Sequence, residues 1–125
     1  KEIHMRLLRS VLITAIALTG LTTGAAQASC PVPVLAMINI CSPFHETSVT
    51  NPVQVSASAT PPQDTLTSLQ LWVDGTKYMN STTNTLSGPL PVTLTSGKHR
   101  FTFVLISNST TGAKTWNSIV YVNVQ

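Results

Sequence analysis

The chain is 125 residues long, 42% hydrophobic and only 9% charged, with a formal net charge of +3. That length has room for one domain and excludes a multidomain enzyme. Lys1, Arg6 and Arg9 sit at the very start, and beyond Ala28 only Lys77, Lys98, Arg100 and Lys114 stand against Glu46, Asp64 and Asp74; these bases are too few and too scattered for a nucleic-acid footprint.

Residues 1–28 read as upstream residues and a signal peptide. Lys1 to His4 precede Met5, which stands where a start is expected. Arg6-Leu7-Leu8-Arg9 makes a basic n-region, Val11 to Leu21 an apolar stretch, and Ala26-Gln27-Ala28 a small-x-small cleavage site. The apolar run is about half the ~20 residues that a bilayer core demands, so no membrane span is expected after cleavage. The expected destination is outside the cytoplasm, periplasmic or extracellular.

Residues 29–48 follow as an amino-terminal arm that carries Cys30, Cys41 and the first strand. An oxidising compartment favours a Cys30–Cys41 disulfide. A straight run between them would span roughly 36 Å, whereas bridged Cα atoms lie within about 7 Å, so the segment must double back; Pro31 and Pro33 suit the bend. The rival reading makes Cys30 the lipidated first residue of an anchored lipoprotein. Against it, Gln27 stands where a lipobox has Leu, and lipidation would leave Cys41 unpaired.

Residues 49–125 form the remainder of the domain. Short runs of alternating side chains, separated by turn residues such as Asp74-Gly75, Ser87-Gly88-Pro89, Ser96-Gly97-Lys98 and Thr111-Gly112, are the signature of a sandwich or barrel. The alternation predicts strands near 34–40, 53–59, 67–73, 76–80, 90–95, 99–107 and 114–124, and no helix. Period two puts Val53, Val55, Ala57, Leu69, Leu71, Val73, Val92, Leu94, Phe101, Phe103, Leu105, Val120, Val122 and Val124 inside. Ser56, Ser58, Gln70, Thr93, Thr95, Arg100, Thr102 and Asn123 fall on the wet side. Trp72, Val104, Ile106, Ile119 and Tyr121 break the pattern by landing outside as well. Either a loop or the amino-terminal arm covers them, or they form an exposed patch for a partner. The candidate binding face is Trp72, Arg100, Thr102, Val104, Ile119 and Tyr121.

No motif ties His45, His99, Glu46, Asp64 and Asp74 into a catalytic or metal-binding set, so no enzyme activity and no cofactor are expected. His99, between Lys98 and Arg100, reads as a strand-end residue in solvent, and His45-Glu46 as a structural or solvated pair. Trp72, Tyr78, Trp116 and Tyr121, beside Asn80, Asn84, Asn108 and Asn117, could supply platforms and amides to a sugar. The plainer reading has Trp72 and Trp116 closing the ends of the core.

Ile38-Asn39-Ile40-Cys41-Ser42-Pro43, Val49-Thr50-Asn51-Pro52 with the run to Ala59, Leu69 to Gly75, Gly97 to Thr102 and Ile119 to Val122 follow one another in an order and spacing that resemble a bacterial immunoglobulin-like domain in its short, stand-alone, exported form. The resemblance implies an antiparallel β-sandwich of about seven strands with Greek-key connections, and a role in display, adhesion or carbohydrate contact. Two departures stand out. Phe44-His45-Glu46-Thr47 replaces a common Asn-Gly turn, and Ser107 to Gly112 replaces an acidic loop, which puts any calcium loop in doubt. The cysteines are also too close in sequence for the inter-sheet bridge of antibody domains. Two functions remain: a non-catalytic structural or interaction module at the cell envelope or outside the cell, binding a protein or cell-wall component, and a small carbohydrate-binding module.

Overall fold

The computed structural model describes residues 30–34, 37–61 and 65–125. The signal peptide, Lys1 to His4, the cleavage site and Asp64 lie outside the described residues. Every regular element among those described is a strand: β1 (Met37–Ser42), β2 (Thr47–Val49), β3 (Gln54–Thr60), β4 (Thr65–Val73), β5 (Thr76–Ser81), β6 (Thr85–Pro89), β7 (Gly97–Ser109) and β8 (Gly112–Val124). They form a three-stranded sheet, β1-β3-β6, and a five-stranded sheet, β2-β8-β7-β4-β5. Pairing is antiparallel throughout except for the short β2, which runs parallel to the end of β8.

The two sheets meet over one apolar core. Val55, Leu69, Leu71, Phe101 and Phe103 are fully buried, and Val53, Ala57, Leu105, Val122 and Val124 nearly so, each large side chain contributing about 2 kcal/mol of transfer free energy. The period-two reading of these strands therefore holds. The hairpin between β4 and β5 is a two-residue turn in which Asp74 (φ 50°) and Gly75 (φ 88°) both take left-handed backbone, the form that matches the twist of the flanking strands.

One expected strand is corrected. Residues 90–95 are not a strand; the edge strand is β6, just upstream, in the segment read as a Gly-Pro turn. Pro89 and Pro91 flank Leu90 and can donate nothing to a ladder, whereas Pro89 is tolerated at the end of an edge strand. Leu90 still plunges into the core, its N–H donating to Val53 O at 2.8 Å. Val92 and Leu94 pack against the core without a strand partner. Asn51 stands in for one: its Nδ2 donates to Leu94 O (2.9 Å) and its Oδ1 accepts from Leu94 N (3.1 Å).

A second correction concerns the three-stranded sheet. Ser56 and Ser58, expected in water, are 7% and 0% exposed. Ser56 lies between its strand partners Ser42 and Ser87, and the arm lies over Ser58. Cys30 is bridged to Cys41 with their Cα atoms 5.6 Å apart, and Pro31 O accepts hydrogen bonds from Ser58 Oγ (2.6 Å) and Asn39 Nδ2 (2.9 Å). Thr60 Oγ1 donates to Pro33 O at 2.6 Å. Prolines have no N–H to give, so side-chain donors from the sheet hold the arm by its carbonyls.

Candidate functional site

With the arm on the small sheet, no described segment lies over the outer face of the five-stranded sheet. Strand register composes it row by row. Tyr121 on β8 faces Arg100 on β7; Ile119, Thr102, Trp72 and Lys77 cross four strands in the next row; Asn117, Val104, Gln70 and Asn80 make the third. Rows on one face lie about 7 Å apart and strands about 4.8 Å apart, so these side chains are immediate neighbours. All six residues singled out by their parity thus lie side by side. Ile119 is 45% and Tyr121 38% exposed; Arg100 is exposed, and Trp72, Thr102 and Val104 are half-buried.

Each aromatic of this face carries a lysine. Lys98 Nζ sits 5.2 Å from the Tyr121 ring centroid and 3.5 Å from Glu46 Oε1, and Lys77 Nζ 6.0 Å from the Trp72 ring. The Trp72 indole N–H donates to Gln70 Oε1 at 2.9 Å, and Gln70 Nε2 to Ser68 Oγ at 3.2 Å. With its one donor satisfied, Trp72 offers a partner apolar ring surface.

At the upper rim, Asp74, Lys98, Arg100 and Tyr121 line a shallow depression of about 460 Å³. Asp74 Oδ1 accepts from Arg100 N at 2.9 Å and Oδ2 pairs with His99 Nδ1 at 2.6 Å, while His99 Nε2 lies 2.7 Å from Thr95 O. His99 is therefore not a solvated strand-end residue: its side chain is 12% exposed and held at both nitrogens. Its hydrogen bond to Asp74 raises its pKa above the ordinary value, opposed by burial and helped by Thr95 O. Burial pulls Asp74 upward, but the Arg100 N–H and the His99 hydrogen bond together outweigh it and leave the carboxyl below its usual range. The His45-Glu46 turn docks at the β8 edge, where Tyr121 N donates to His45 Nδ1 (3.1 Å) and Glu46 N donates to Tyr121 O (2.8 Å).

The other aromatics divide. Trp116 is partly buried against the core, as the plainer reading has it, and Tyr78 is too, whereas Trp72, which that reading also places at a core end, is on the outer face. Gln70, Lys77, Lys98 and Asn117 belong to the face and are not in the expected binding set, although Asn80 and Asn117 read as amide partners for a sugar and Gln70 as a wet-side residue. Parity along β4, β7 and β8 marks Gln70, Lys98 and Asn117; Lys77 is hidden by the bulge opposite Leu71 and Trp72. Among the described residues no three His, Cys, Asp or Glu side chains gather to hold a metal ion.

A family model described as a bacterial Ig domain matches residues 37–102. Among solved structures, the fibronectin(III)-like modules of Clostridium thermocellum CbhA superpose with a TM-score of 0.51 at 17% identity, covering 70% of this chain and 94% of that one. A lytic polysaccharide monooxygenase of Jonesia denitrificans gives a TM-score of 0.46 at 19% identity, over 66% of this chain and 58% of that one. No curated protein matches the chain significantly.

Proposed function

Because the chain belongs to the bacterial Ig domain family, we propose that it is an exported, non-catalytic interaction module that holds a protein or cell-wall partner on the outer face of its five-stranded sheet. The observation that carries this reading is the contiguity of Trp72, Ile119, Val104 and Tyr121 with Arg100 on one open surface. Aromatics and arginine around a small apolar centre are the composition that interface hot spots favour. The Cys30–Cys41 bridge supports export, since such bonds persist in oxidising compartments. A sugar stacks best on bare aromatic faces, and here lysines lie over both rings, which favours a protein or an anionic envelope polymer. The amide row of Gln70, Asn80 and Asn117 beside Trp72 supports a second reading, a small carbohydrate-binding module.

Capture from envelope extract, run in parallel with a glycan array, tests both. Trp72→Ala is expected to lose about 30-fold in binding, as for a hot-spot residue, while its unfolding midpoint stays within a few degrees of the parent. Full binding by both Trp72→Ala and Tyr121→Ala would remove this face from the account. Binding confined to neutral glycans on the array would install the second reading.

A further inference from the structure

Among the described residues, the five-stranded sheet has an unguarded edge. Tyr121 directs both its N–H and its C=O away from β7, to His45 Nδ1 and Glu46 N. Outward main-chain groups recur at every second residue of an antiparallel ladder, and Gln125 obeys the same parity, its N–H donating to Val49 O at 2.9 Å. Ala113, Thr115, Asn117 and Ile119 therefore present their N–H and C=O groups outward too. β2 covers β8 only over Val122–Val124, and the His45-Glu46 turn covers Tyr121. From Ala113 to Ile119, ~20 Å of extended backbone, no described strand pairs with this edge.

Exposed edges are usually broken by bulges, prolines or shortness. The other edges of this molecule are: β1 slips register between Ile40 and Ser42, β5 pairs with β4 across a bulge, and β6 is five residues ending in Pro89. β8 is not: its ladder with β7 runs from Gly97↔Val124 to Ser109↔Gly112 without a slip.

We propose that this edge joins a second copy of the chain, the two β8 strands pairing antiparallel about a two-fold axis at Trp116. That register is singled out by the groups that are free. It sets Ala113 against the second copy's Ile119 and Thr115 against its Asn117, so every outward group of the open run is paired and none of the capped ones is called on. Moving the axis to Thr115 would set Ile119 against Thr111 in the tight turn; moving it to Asn117 would set Ala113 against Tyr121, already engaged by His45 and Glu46. Side-chain chemistry agrees: an apolar pair (Ile119 with Ala113), a polar pair (Thr115 with Asn117), Trp116 against itself, and Lys114 opposite Ser118 rather than opposite another lysine. The axis stands perpendicular to the sheet. It fuses the two five-stranded sheets into one and turns both Trp72–Tyr121 faces the same way, a bivalent platform whose avidity would exceed that of either face alone. The dimer does not depend on what that face binds.

Sedimentation of the chain with its disulfide intact, from about 10 µM to about 1 mM, spans the affinity expected of so small an interface. The parent should pass from monomer to dimer, and Thr115→Pro should stay monomeric, because its lost N–H points outward and an edge strand accommodates proline. Amide exchange of the parent at both concentrations decides the matter without any variant. The Ala113, Thr115, Asn117 and Ile119 amides should slow by about tenfold or more as dimer forms. A parent that remains monomeric, exchange independent of concentration, or a dimer that survives Thr115→Pro would overturn the proposal.

Discussion

His99 shows what one side chain does for the rim of the face. Both atoms it meets, a carboxylate oxygen and a peptide carbonyl, accept, so both contacts are hydrogen bonds only when both ring nitrogens carry a proton, the form that the Asp74 contact favours by raising the pKa. A histidine whose folded pKa is raised stabilises the fold fully below its unfolded value near 6.5 and ceases to as pH climbs through the raised value. Asp74, with its pKa lowered, contributes above the unfolded value of 3.8 and is lost as pH falls through the lowered one. The thermal unfolding midpoint should therefore stand on a plateau between these limits and decline on the alkaline side. His99→Gln should flatten that decline and cost about 1 kcal/mol at pH 6, a modest figure because the Asp74 side chain is 51% exposed. A parent midpoint equal at pH 6 and pH 9 would show that the imidazolium bridge is not formed. Nothing in the sequence marks His99 for this role, since Asp74 lies 25 residues away; the pairing of β4 with β7 brings Asp74 beside Arg100, and only then does its neighbour find a counter-ion.

At the scale of the element, the arm is held to the three-stranded sheet by one disulfide and by side-chain hydrogen bonds to its carbonyls. It covers the sheet at Ser58 and Thr60, and its covalent link is Cys30–Cys41, closing a separation of 11 residues. In the chain-entropy treatment such a loop is worth about 3 kcal/mol. The double variant Cys30→Ser/Cys41→Ser should unfold roughly 10–20 °C lower, with Ser58 gaining access to solvent. An unchanged midpoint would mean that the hydroxyl bonds to Pro31 O and Pro33 O hold the arm without the bridge. The cysteines and prolines made the loop legible, but not where it lies. That depends on Ser58 and Thr60, and the alternation of Ser56 and Ser58 reads as a wet face because the arm's carbonyls cannot be seen from β3. Residues 90–95 misled in the opposite direction: Val92 and Leu94 alternate like a strand because they do pack inward, yet the main chain there is satisfied by the Asn51 amide.

Over the whole molecule, the core was legible because a sandwich leaves one simple periodic trace in each strand, and Val55, Leu71, Phe103 and Val122 meet as that trace requires. The outer face was legible for the same reason, read as its exception: large side chains at the wrong parity on strands that turn out to be neighbours. Parity could not reveal the lysines over the two rings, since long flexible side chains reach across rows, nor which sheet the arm would cover. That choice is decisive, because an arm laid on the other sheet would have buried the patch and removed any reason for a partner. Among the described residues, the arm instead covers part of the three-stranded sheet, at Ser58 and Thr60, and leaves the Trp72–Tyr121 face uncovered. Radical footprinting of the oxidised protein, alone and with the envelope fraction it retains, measures this directly. Trp72 and Tyr121 are expected to be labelled in the free protein and protected by that fraction, while Tyr78 and Met79, at the groove between β5 and β6, label equally in both. Unchanged labelling of Trp72 and Tyr121, with protection falling on Tyr78 and Met79, would contradict the account.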